Sequence, residues 1–204
     1  MSNTPRPWPW FTVGPLCLTA YGVIRLTDPA HGPGFAWSLG HLALLAAVVA
    51  FVPALWRLRR WAAADRGPAA RVFAGAAAAA GLLGAAAVTA QAVIDLVVGF
   101  LCADRAAMDV MFDGVRSHPG VTPAVYTVGP LLFHVGIVLL TSQLAAQRRI
   151  AARRPLLVVA GIAVTAADLD LMPLGGLLLL LALAPLDRQR PQGRQRPAPA
   201  PAQG

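Results

Sequence analysis

Four ionisable side chains fall inside apolar stretches: His41, Asp95, His134 and Asp168, with Gln91 one helical turn before Asp95. A charge in hydrocarbon is costly unless it is paired or faces water, so each is a candidate functional residue. Imidazole and carboxylate together suit three chemistries. They can bond across helices and hold a bundle together. They can face a vestibule and bind a cation, a proton or a small polar solute. They can also hold zinc with an open position that activates water, which would make the chain a metal-dependent intramembrane enzyme. The helix rise places His41, Asp95 and Asp168 ~7 to 10 Å below one face and His134 nearer ~15 Å. The polar set therefore collects in one half of the molecule. The offset between His41 and His134 disfavours axial ligation of a haem, whose ligands sit at similar depths. The sequence names no cofactor.

The stretches that must position these residues are long and apolar. Mean hydropathy is +0.61 and only 13% of residues are charged, a balance that excludes an ordinary water-soluble domain of 204 residues. Hydropathy gives regions at about 10–26, 36–56, 72–101, 124–146 and 155–186. A span needs ~20 residues to cross ~30 Å of hydrocarbon, so the second and fourth fit one helix each and the first is a little short. The third is longer, and its Gly75, Gly81, Gly84 and Ala-rich face suit close packing, which predicts the central helix of the bundle. The last region is broken by Asp168-Leu169-Asp170-Leu171-Met172-Pro173. Proline starts a helix well and a preceding Asp can cap it, so two short helices are expected, 155–168 and 173–186, with a turn that stops below the membrane surface.

Charge supports six spans. Every basic residue is Arg and every acidic residue is Asp. With six spans, the amino terminus, the loop with Arg57, Arg59, Arg60, Arg66 and Arg71, the loop with Arg148, Arg149, Arg153 and Arg154, and the tail share one side, which carries 14 of the 17 Arg. The positive-inside rule makes that side cytoplasmic and the location the cell membrane. The segment 187–204 is rich in Pro, Gln and Arg and is expected to be a disordered tail. The basic residues are topology signals, which removes nucleic acid from the expected partners; the bilayer, a small solute or cation, and a second copy or another membrane protein remain.

Between the third and fourth spans, Met108, Met111, Phe112 and Val115 alternate with Arg105, Asp109, Asp113 and Arg116 at helical spacing. This predicts an amphipathic helix lying at the interface, its Asp residues in surface ion pairs with the Arg residues rather than forming a catalytic carboxylate pair. A functional version is a lid over a vestibule. Trp8, Trp10, Trp37, Trp56 and Trp61 fall where an aromatic belt belongs, and no other role is needed for them. Cys17 and Cys102 give no disulfide framework, and Leu16 before Cys17 departs from a lipoprotein processing site, so the first segment is expected to be a retained helix. Phosphate-binding loops, nucleophile elbows and paired metal motifs are missing, and with no Lys a side-chain Schiff base is excluded.

Leu18-Thr19-Ala20-Tyr21-Gly22-Val23 and Asp168 through Gly176, set in this span pattern, resemble the uncharacterised small multi-pass membrane proteins of GC-rich actinobacteria. The resemblance implies an all-α transmembrane bundle over 1–186 and carries no activity or residue roles. The expectation is therefore a six-span bundle with cytoplasmic termini and a pocket of His41, Asp95, His134, Asp168 and Gln91 that binds or passes a small solute or ion. The alternative is an accessory membrane protein whose polar residues only join helices.

Overall fold

A computed structural model describes residues 9–188, which are helical with no strand among them. Helix α1 (Trp10–Leu26) has the expected bounds. Helices α2 (Phe35–Ala63) and α3 (Pro68–Leu101) run well past the apolar stretches that seed them, because Arg57 to Trp61 and Pro68 to Arg71 extend the same helices into polar sequence. Pro68 sits in the first turn of α3, where its missing N–H has no helical partner to lose. The amphipathic segment forms α4 (Arg105–Arg116), whose N-cap Asp104 accepts the Ala107 N–H at 2.8 Å. A π-helical turn (Thr122–Thr127) leads into α5 (Val128–Ala146). The last region divides at Asp168 into α6 (Arg153–Ala167) and α7 (Met172–Leu183).

Four segments are long and apolar enough to cross a membrane: Phe35–Ala63, Pro68–Leu101, Thr122–Ala146 and Leu169–Arg188. Helix α1 is a shorter apolar helix, and α6, at 15 residues, spans only ~22 Å. The final arm is longer than expected. Short 3-10 turns at Leu169–Leu171 and Ala184–Arg188 extend α7 at both ends into a rod of 20 residues. Asp170 in the hairpin turn bonds Arg25 in the last turn of α1 at 3.2 Å, so the hairpin reaches the level where α1 ends.

Neighbouring helices follow the ring α1, α2, α3, α5, α6, α7 and back to α1, with α2 also touching α5 across the middle. The third helix, expected to be central, packs on α2, α4 and α5, and α2 shares that place: it packs on α1, α3 and α5 and buries 44% of its apolar stretch against 33% for α3. The small residues of α3 serve close approaches to both neighbours, Gly81 and Gly99 toward Leu55 and Trp37 of α2 and Gly84 toward Phe133 of α5. A Cβ on Gly136 of α5 would collide with the backbone of Gly81, and one on Gly84 with the backbone of Phe133, so these two glycines let the helices touch. The main core lies between Phe11, Phe51, Leu55, Phe133, Ile137 and Leu140.

One end of the bundle is rich in arginine, and several of these side chains bond the backbone. Arg149 donates to the carbonyls of Trp61 and Ala64, satisfying the end of α2, and Gln147 and Gln143 donate to Ala62 and Ala70 at 2.9 Å. Asp187 accepts from the Phe11 N–H and the Thr12 hydroxyl and lies 3.7 Å from Arg57. The expected tail therefore has its first residues folded against α1; from residue 189 onward it lies outside the described residues, as does Trp8.

Candidate functional site

At the end opposite the arginine-rich one, α2 and α3 meet through two buried ionisable groups. His41 is 5% and Asp95 7% exposed, and His41 Nε2 stands 3.4 Å from Asp95 Oδ2. Each sits on the inward face of its helix, with Gly40 of α2 and Val98 and Gly99 of α3 buried beside them. His41 Nδ1 lies 2.8 Å from the Trp37 carbonyl one turn back. A carbonyl only accepts, so Nδ1 carries the hydrogen and Nε2 is left facing the carboxylate. For Nε2 and Oδ2 to attract one another the pair must hold one further proton, either on Nε2 as an imidazolium or on Oδ2 as an acid. In both forms the pair is neutral overall, which is what burial demands.

Trp37 completes the site, and the aromatic-belt reading missed it. Its indole N–H donates to the Asp95 carbonyl at 2.7 Å, and its ring lies against His41 with centroids 4.3 Å apart. The indole fits flush on α3 because position 99 is glycine; a Cβ there would occupy the space of Trp37 Cδ1 and Nε1. Tyr21 of α1 meets the other side of the imidazole edge-on at 5.5 Å. Helix α4 covers this arrangement: Met108 and Phe112 are buried against Val98 and Trp37 rather than facing lipid. Its outer face carries the expected ion pairs, Arg105 with Asp109 at 3.0 Å and Arg116 with Asp113 at 3.8 Å.

The other candidate residues are elsewhere. Gln91 is half-buried one turn before Asp95. His134 hydrogen-bonds the Pro130 carbonyl on its own helix and packs on Phe133. Because Phe133 abuts Gly84, eleven residues from Asp95 along α3, His134 lies ~16 Å from the pair's level. Asp168 is exposed at the turn between α6 and α7, where its carboxylate accepts the Asp170 N–H at 2.9 Å and caps the 3-10 turn. The five residues thus do not share one pocket; the structure joins His41 and Asp95 alone.

A cleft of about 20 Å³ opens beside the pair between α1 and α2, lined by Tyr21, Arg25, Asp28, His31, Trp37 and His41. That volume admits roughly one water. Toward the arginine-rich end, α2 continues from Leu44 to Trp56 without a polar side chain, and Phe51 and Phe133 close the interior in an edge-to-face contact at 5.3 Å. Among the described residues no three His, Cys or Asp side chains are placed to hold a metal ion.

No known protein family, curated protein or solved structure matches this chain. The site consists of an imidazole and a carboxylate from different helices 3.4 Å apart, with aromatic rings against the imidazole and a cleft of single-water size beside it.

Proposed function

We propose that the chain is a six-span integral membrane protein of the cell membrane, termini cytoplasmic, whose buried His41–Asp95 pair is an ion site for the smallest ion, a proton, and ties α2 to α3 on the side away from the cytoplasm. Six spans follow if α1 and α6, both short, cross with the four longer segments; the grouping of arginines at one end supports this. The observation that carries the proton reading is the Nδ1 contact with the Trp37 carbonyl, which leaves Nε2 to share a proton with Asp95. A solute is a poorer fit than a proton, since the cleft has the volume of one water and the interior beyond it is apolar.

The accessory role is the second reading, favoured by the same pair acting as a helix link. The two are separated by a double-mutant cycle. Unfolding free energy in detergent is measured for the wild type, His41→Gln, Asp95→Asn and the double variant. The proposal expects a coupling of about 1 to 3 kcal/mol that changes with pH as the shared proton is gained or lost. A coupling near zero overturns the pair, and a coupling that is flat from acid to alkaline pH leaves the link and removes the proton site.

A further inference from the structure

The cleft has a second imidazole at its mouth. His31, in the segment between α1 and α2, lines the same cleft as His41, and its Nε2 is buried without a hydrogen-bond partner in the protein. Its placement is held from several sides. The backbone at His31 is left-handed (φ 49°), a conformation that histidine adopts more readily than most residues. The His31 N–H donates to the Asp28 carbonyl at 3.1 Å, and Arg105 of α4 donates to the His31 carbonyl at 2.9 Å while bonding Asp109 with its other nitrogen. The same arginine that anchors the covering helix thus fixes this loop.

We propose that His31 carries protons between outside water and the His41–Asp95 pair through one water in the cleft. This rests on the proton-site reading given above. The groups facing this route are Tyr21 and Arg25 from α1, Asp28 from the loop, His41 from α2, Asp95 from α3 and Arg105 from α4, with Asp170 neutralising Arg25 at the rim. Arg25 is a permanent cation and cannot relay, and a phenol or a carboxyl ordinarily changes protonation far from neutrality, whereas imidazole does so near it. Outward, the shared proton passes from the pair to the cleft water, and that water gives one of its own protons to the free Nε2 of His31. The His31 imidazolium then releases a proton to bulk water. The proton that leaves is the one on Nδ1, because Nε2 is buried; the pair changes from neutral to a single negative charge, the cleft water is restored, and His31 is left as its Nε2–H tautomer, which a ring flip returns to the starting form.

The test is exchange of the His41 imidazole protons with solvent, read by NMR on histidine-labelled full-length protein in lipid nanodiscs. His31→Gln keeps a polar side chain at the mouth but cannot carry the proton. Slowing by about a hundredfold, the low end of what a positioned acid–base group supplies, with recovery on adding free imidazole, is the expected result. Arg105→Gln, which frees the loop and leaves His31 intact, should slow exchange less. Unchanged exchange in His31→Gln overturns the relay while leaving the pair's proton in place. If wild-type His41 shows no proton shared with Asp95, the proton-site reading fails and the relay with it.

Discussion

Trp37 does for the pair what neither ionisable group does for itself. Its carbonyl sets the His41 tautomer and its indole N–H holds the Asp95 backbone, so one residue registers α2 against α3 at both partners. Trp37→Phe keeps an aromatic ring and removes the donor; it should cost about 1 kcal/mol, measured by denaturant unfolding in detergent. Gly99→Ala forces a methyl into the indole and should cost about 1 to 3 kcal/mol by the same measurement, and a neutral result there would mean the indole does not rest on α3. His41 and Asp95 were legible in the sequence because an ionisable group in an apolar run announces itself. Trp37 was not, because a tryptophan near a span end suits the interface equally well and only the pairing of two helices brings it to position 95. His134 and Asp168 were legible as polar residues in apolar segments, but their distance from the pair was not: the first hydrogen-bonds the Pro130 carbonyl of its own helix and the second caps a turn.

At the scale of elements, apolar length located the helices and underestimated them. Helix α2 continues through Arg57 to Ala63 because Arg, Leu and Ala all favour helix, and the capping of its last carbonyls by Arg149 comes from a segment 85 or more residues away. The glycines of α3 were read as a mark of centrality, and they report close approaches to two partners, α5 at Gly84 and α2 at Gly81 and Gly99. Gly136→Leu should therefore act on the contact between α3 and α5: the side chain meets the Gly81 backbone, which cannot move aside, and a loss of about 3 kcal/mol or more follows. Gly75→Leu, at a position with open space around it, is the control and should leave unfolding almost unchanged. The amphipathic pattern of α4 was legible too. Its docking on Trp37 and Val98 was not, since an apolar stripe looks the same whether it meets lipid or protein.

For the whole molecule the proposed orientation rests on the arginine distribution, and at the arginine-rich end Asp187 is bound between α1 and Arg57. On this basis single cysteines placed in a Cys17→Ala, Cys102→Ala background should divide cleanly. Asp170→Cys should react with an impermeant thiol reagent in intact cells and Arg148→Cys only after permeabilisation; Asp170→Cys shielded from outside would reduce the span count below six. The central claim, however, concerns one proton between two helices, and its most direct measurement is the nitrogen-15 NMR spectrum of His41 in lipid, with and without Asp95→Asn. The account predicts a protonated Nδ1 in every state and an Nε2 resonance that moves when the carboxylate becomes an amide. A His41 ring protonated on Nε2 alone, or one indifferent to the residue at position 95, contradicts it.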